Sequence, residues 1–140
     1  MRWNSKYQAY IDKYKDLAIS EMLKYNIPAS ITLAQGLLES GAGMSELTRK
    51  GNNHFGIKCH DWLGATTYHD DDEKQECFRA YRDAYESYED HSKFLARQPR
   101  YKNYFHLKEL TIKVGTWIKK VWICYEPKLC KKTYWNYRIV

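Results

Sequence analysis

No stretch of the chain approaches the roughly 18 consecutive apolar residues that a membrane-spanning helix needs, and mean hydropathy is −0.76, so membrane insertion is not expected. The opening MRWNSKYQAYIDKYKD is too polar for a signal peptide, which leaves a cytoplasmic protein or one without its export signal. Proline (3) and glycine (7) are scarce, and no repeat, low-complexity run or flexible linker divides the sequence. Residues 1–140 are therefore read as one domain, long enough for a single core. No Lys/Arg run and no nucleic-acid-binding fingerprint is present, so nucleic acid is not an expected partner. Of the four cysteines, Cys59 and Cys77 lie near His60 and His69, but neither C-x-x-C nor H-x-x-x-H spacing occurs. A disulfide or a pair of buried thiols ranks above a metal site, and no metal or cofactor is expected.

What the chain does carry is aromatic surface and positive charge. Thirteen tyrosines, five tryptophans and four phenylalanines suit a cleft whose walls pack one edge of a polar ring and hydrogen-bond the other. The formal charge of +6, from 23 basic and 17 acidic residues, favours polyanions: nucleic acid, anionic membrane or acidic wall polymers.

The hydrophobic pattern is helical at first. Tyr7, Tyr10, Ile11, Tyr14, Leu17, Ala18, Met22 and Tyr25 mark one helix face, which Asn26 and Pro28 end. Ile31, Ala34, Leu37 and Leu38 predict a second helix, inside which Gly36 costs about 1 kcal/mol relative to Ala and so signals close packing. Ser45 and Glu46 open a short third helix that closes near Lys50 and Gly51. Over 52–81 the grammar changes: HFGIKC, ATTYHD and ECFRAY, separated by DWLG and DDEKQ, predict a three-stranded antiparallel lobe. Helical spacing returns in Tyr85, Tyr88, His91, Phe94 and Leu95, up to Gln98 and Pro99. The expected class is α+β, mainly helical with a small β lobe.

The second helix ends on an acid. Glu39, followed by Ser40, Gly41, Ala42 and Gly43, stands at the negative end of the helix dipole beside Leu37 and Leu38. Both features disfavour its charged form, and a carboxyl that keeps its proton near neutral pH can protonate a leaving oxygen. The glycines behind it permit a polymer strand to approach the backbone.

The ordered set AQGLLESGAG, KGNNHFGIKC and FRAY-x6-YEDH-x-x-FL resembles the bacterial peptidoglycan endo-β-N-acetylglucosaminidases, a glycoside hydrolase family that includes the flagellar rod-cap hydrolases. The resemblance runs from about Tyr7 to Tyr101. It implies a lysozyme-like fold, cleavage of the β-1,4 bond after N-acetylglucosamine in peptidoglycan, and Glu39 as the catalytic acid. It also implies a monomer working on glycan strands in the cell envelope, in the periplasm or outside the cell. A second carboxylate is expected from the β lobe, where Asp71 and Asp72 are favoured over Asp70 and Glu73 because adjacent residues of a strand cannot all face one cleft. Asn53, His54 and Phe55 match the family's N-x-F-G-I-K corner and are expected to shape the substrate cleft, with Trp62 and Tyr68 as further sugar contacts. The rival reading is a wall-binding module that keeps the cleft and does not cut.

The likeness fails after Pro99. Similar proteins continue into a Gly-Tyr-Ala-Thr segment carrying an active-site tyrosine, whereas this chain has VGTWIKKVWICYEPKLCKKTYWNYRIV, without sustained periodicity. Reading the codons of Lys119 to Val140 one nucleotide later permits a Cys-Gly-Tyr-Ala-Thr segment. The glycine of that segment and a second glycine further on are forced, because Trp122 and Trp135 have single codons and precede Ile123 and Asn136, whose codons begin with A. The tail from 107–115 onward is therefore expected to be translated out of frame, ahead of a divergent ending, and Tyr125 does not inherit the tyrosine's role.

Overall fold

The computed structural model describes residues 4–99. The tail, and with it the expected change of frame, lies outside the described residues. Four helices and two strands follow in order: α1 (Ser5–Tyr25), α2 (Ala29–Glu39), α3 (Glu46–Gly51), β1 (Thr66–His69), β2 (Glu76–Arg79) and α4 (Ala84–Ala96).

Each helix starts and stops where local chemistry dictates. The Asn4 side chain accepts from the backbone N–H groups of Lys6 and Tyr7, satisfying two otherwise orphaned donors of α1. Asn26, at φ 58°, turns left-handed and ends the helix, its N–H donating to Met22 O at 2.9 Å. Ser45 caps α3 through Thr48 N, and Asp83 caps α4 through Glu86 N. Glu86 reaches back to Arg82 N at 2.8 Å, so that end of α4 is closed reciprocally.

The helical body closes over Ile11, Ala18, Ala29, Leu33, Phe55, Ile57 and Tyr88. Full burial of such side chains stabilises by about 1.5–3 kcal/mol each. The helix α2 crosses this core where Gly36 has no side chain: a Cβ there would stand 2.7 Å from Tyr10 Oη and 2.9 Å from Tyr88 Oη. These two hydroxyls are hydrogen-bonded to one another at 2.9 Å, and Tyr10 also meets His54 Nδ1 at 2.7 Å. The close packing expected at Gly36 is thus a polar network passing beneath α2.

Strands β1 and β2 pair antiparallel, with Thr66 opposite Arg79, Thr67 opposite Phe78, Tyr68 opposite Cys77 and His69 opposite Glu76. Among the described residues the sheet has two strands rather than the expected three. HFGIKC contributes one isolated bridge, Lys58 to Phe78, with Cys59 N donating to Cys77 O and Arg79 N to Ile57 O, each at 3.0 Å. The reason is local. Gly56 at φ 63° and His60 at φ 46° bend the chain on either side of this short piece, leaving too little extended backbone for a strand. A Cys59–Cys77 disulfide, with the Cα atoms 5.4 Å apart, joins the segment to β2 covalently.

Candidate active site

Glu39 is the last residue of α2, and the turn behind it is built to end the helix there. The buried Ser40 hydroxyl donates to Gly36 O and accepts from Gly43 N at 2.8 Å. Gly41, Ala42 and Gly43 then take left-handed φ values of 55°, 58° and 81°, so Ala42 N returns to Leu37 O at 2.8 Å and Ser45 N to Ser40 O at 2.9 Å. Burial beside Leu37 and Leu38 was expected, yet the Glu39 side chain is exposed, because Gly36 and Leu37 occupy the inward face of this last turn. Its Oε2 lies 3.9 Å from where a Cβ on Gly56 would sit, so the carboxyl faces the corner leading into the β lobe.

That corner is shaped by Asn53, His54 and Phe55, which the structure places inside the fold. Asn53 Nδ2 donates to Ile57 O at 3.0 Å and Arg79 O at 2.8 Å, while its Oδ1 accepts from Ile57 N at 3.1 Å. One amide therefore replaces the strand hydrogen bonds that the corner forgoes. His54 is buried, its backbone N–H donates to Ser87 Oγ at 3.1 Å, and burial, aided by Lys13, pulls its pKa down to about 4. Phe55 stacks on His91 with ring centroids 3.8 Å apart and meets Tyr88 edge-on. The side chains of Asn53, His54 and Phe55 are buried and packed into the core, behind the corner that their backbone forms.

The acidic turn resolves into separate tasks. Asp70 Oδ1 accepts from Gln75 N at 2.8 Å and closes the hairpin. Asp71 and Asp72, both exposed, converge with Glu76 on Lys58: the ammonium is 3.5, 3.2 and 2.9 Å from their respective carboxylate oxygens. The three acids offer oxygens within 4.8 Å of one another, a spacing that would suit a cation; the Lys58 ammonium forms an ion pair with each and a hydrogen bond with Asp72. Sequence reasoning passed over Lys58 and Glu76, although Lys58 stands in the G-I-K stretch that carried the resemblance.

It also passed over Arg79 and Asp90. The buried Arg79 donates to Asp90 Oδ2 at 2.9 Å and to Lys58 O at 3.1 Å, and Tyr81 donates to the same Asp90 oxygen at 2.6 Å. The spacing of FRAY and YEDH is thereby explained as a tie between β2 and α4. Trp62 lies in the loop before β1, where its Nε1 donates to Ala65 O at 2.9 Å and the Arg79 guanidinium covers its ring at 5.0 Å. A cavity of about 580 Å³ opens between this loop and α4, lined by Trp62, Ala65, Tyr81, Tyr85 and Lys93 among others, and Glu39 is not part of its wall. Tyr68 is exposed on β1, while its neighbours Thr67 and His69 turn toward α3, His69 Nδ1 lying 3.3 Å from Glu46 Oε2.

A helical body with a small β lobe recurs in solved peptidoglycan and glycoside hydrolases. A peptidoglycan hydrolase from Sphingomonas sp. A1 superimposes with a TM-score of 0.61 at 29% identity, over 68% of this chain and 65% of that one. The glycoside hydrolase domain of FlgJ from Salmonella typhimurium gives 0.60 at 28% identity, over 68% and 64%. The exo-glucosaminidase LytG of Bacillus subtilis (strain 168) is 36% identical over 98 residues, which are 64% of this chain and 34% of that protein, so the chain spans about a third of this relative. Residues 15–137 match the glucosaminidase family, mannosyl-glycoprotein endo-beta-N-acetylglucosaminidase, so the likeness expected to fail after Pro99 continues into the tail, and the chain belongs to that family.

Proposed function

We propose that this chain is a peptidoglycan glycoside hydrolase that cleaves the β-1,4 bond after N-acetylglucosamine, with Glu39 as the general acid. The observation that carries the reading is the placement of Glu39: a carboxyl at the dipole-negative end of α2, facing the backbone of Gly56 where no side chain blocks an incoming glycan. In that position it can deliver its proton to the glycosidic oxygen as the bond breaks. Asp71 or Asp72 supplies the second carboxylate, as the base that activates water or as the anion that steadies the oxocarbenium-like transition state. The half-buried Trp62 and the exposed Tyr68 offer rings for sugar contacts. The enzyme works as a monomer in the cell envelope, where the polymer lies.

Digestion of purified cell wall by wild type and Glu39→Gln, followed by mass spectrometry of the fragments, tests this. Wild type is expected to release products with N-acetylglucosamine at the reducing end, and Glu39→Gln to release almost none. Fragment length separates internal cleavage from cleavage at chain ends. A second reading, a wall-binding module that does not cut, draws on the ion pairing of Asp71 and Asp72 with Lys58. Retention on wall with no new reducing ends, unchanged by Glu39→Gln, would establish it instead.

The tail is proposed to be out of frame. Sequencing the gene across the codons for Leu107 to Gly115 is expected to reveal a single-nucleotide shift, and an uninterrupted frame shared by close relatives removes the idea.

A further inference from the structure

Lys58 is held from several sides. Its backbone bridges Phe78, its carbonyl accepts from Arg79 Nε at 3.1 Å, and the next residue is disulfide-bonded to β2. The turn carrying Asp71 and Asp72 has far less support: the Asp70 cap and one backbone hydrogen bond, Asp71 N to Glu73 O at 3.0 Å. Yet Asp71 and Asp72 stand beside a third acid, Glu76, with oxygens inside 4.8 Å of one another. Three like charges at that spacing repel, and a turn this exposed would splay unless a cation held them. Isolated surface ion pairs contribute little, but here one ammonium meets three carboxylates from a backbone that the lobe holds.

We propose that Lys58 is a positioning residue for glycan cleavage: it gathers Asp71 and Asp72 toward Glu76, and thereby sets where the second carboxylate of the reaction stands. This rests on Asp71 or Asp72 being that carboxylate. It divides the chemistry between the two sides of the cleft. An ammonium against a carboxylate favours the anion, which suits a base or an electrostatic partner and does not suit a proton donor, so the acid role falls to Glu39. Contact with Glu76, and then with Asp72, raises the Lys58 pKa above its usual 10.5, so the positive charge persists wherever the enzyme works.

The test compares full-length wild type, Lys58→Met, Lys58→Arg, Glu76→Gln, Asp71→Asn and Asp72→Asn on purified wall, reading kcat, KM and the pH profile, with thermal unfolding alongside. Lys58→Met keeps the stem and loses the charge. It is expected to lower kcat by about tenfold with KM little changed, and to move the acidic limb of the kcat profile to higher pH, because a carboxylate without its cation takes a proton sooner. Lys58→Arg is expected to keep the limb in place. Glu76→Gln leaves the ammonium to two acids instead of three, so the limb should move to lower pH; this variant decides the matter if Lys58→Met does not fold. Should Asp71→Asn or Asp72→Asn lower kcat while the limb stays fixed in Lys58→Met, or in Glu76→Gln where the former is unfolded, the positioning role is overturned and the second-carboxylate reading survives. Should neither aspartate variant lower kcat, that reading falls, and the role of Lys58 falls with it.

Discussion

Arg79 and Asp90 form a salt bridge at 2.9 Å across the boundary between the β lobe and α4, with only 5% and 13% of their side-chain surface exposed. Tyr81 donates to the same carboxylate oxygen. Removing one partner of a buried pair strands the other charge, a loss of about 3–5 kcal/mol. Asp90→Ala is therefore expected to be strongly destabilising, and Asp90→Asn less so, since an amide oxygen still accepts from Tyr81. Denaturant unfolding curves measure both, and equal stability of wild type and Asp90→Ala would refute the tie.

Gly36 yields a prediction that joins packing to catalysis. A methyl group there meets two hydroxyls at under 3 Å, and overpacking of this kind costs about 1–3 kcal/mol. Glu39 lies three residues on, so any tilt of α2 that relieves the clash also moves the acid. Gly36→Ala should lower both melting temperature and kcat. Combining it with Tyr10→Phe and Tyr88→Phe, which delete the two hydroxyls, should recover part of the stability lost, and a double-mutant analysis reads the coupling directly.

Buried histidines and a buried glutamate push stability in opposite directions below neutral pH, for separate reasons. His54 and His91 are buried, and burial lowers their pKa values to about 4 and about 3. Between pH 6.5 and about 4 the unfolded chain binds protons that the folded chain refuses, so stability drops as pH falls through that window. Glu21 behaves oppositely. It is fully buried, and burial together with the neighbouring Glu89 raises its pKa to about 7; burial acts the same way on Glu89, but Glu21 beside it and hydrogen bonds from Tyr25 and Lys24 outweigh it and hold that acid near 2. As pH rises from 4.5 to about 7 the unfolded chain ionises Glu21 while the folded chain resists, which costs stability that stays lost above pH 7. Glu21→Gln is expected to gain roughly 1–2 kcal/mol at pH 8 and almost nothing at pH 4, as measured by thermal unfolding against pH.

How far the sequence could be read follows from the range of each signal. Helix boundaries at Asn26, Ser45 and Gly51 depend on residues within one turn, and periodicity placed Tyr10, Ile11 and Ala18 on the buried face correctly. The failed third strand depended on Gly56 and His60, whose left-handed backbone no alternation pattern reveals. Asn53, His54 and Phe55 stood out through resemblance, which marks a residue without telling whether it touches a ligand or the residues behind it. Lys58, Arg79 and Asp90 escaped notice because their partners lie 9 or more positions away, beyond helical or strand spacing.

The disulfide supplies a final test, because it fastens the piece carrying Lys58 to β2 where a full strand would otherwise do so. Cys59 and Cys77 are separated by 18 residues, and a cross-link closing a loop of that order contributes about 3 kcal/mol, chiefly by restricting the unfolded chain. Reduction, or Cys59→Ser with Cys77→Ser, should lower the melting temperature. If the bond also fixes the lobe, kcat should fall at temperatures where the reduced protein is still folded. Addition of a thiol reductant to a folded sample, followed by circular dichroism and wall digestion in parallel, separates the two effects. Activity that declines only in step with unfolding would assign the disulfide to stability alone and leave the hydrogen bonds of Asn53 and Arg79 to hold the corner.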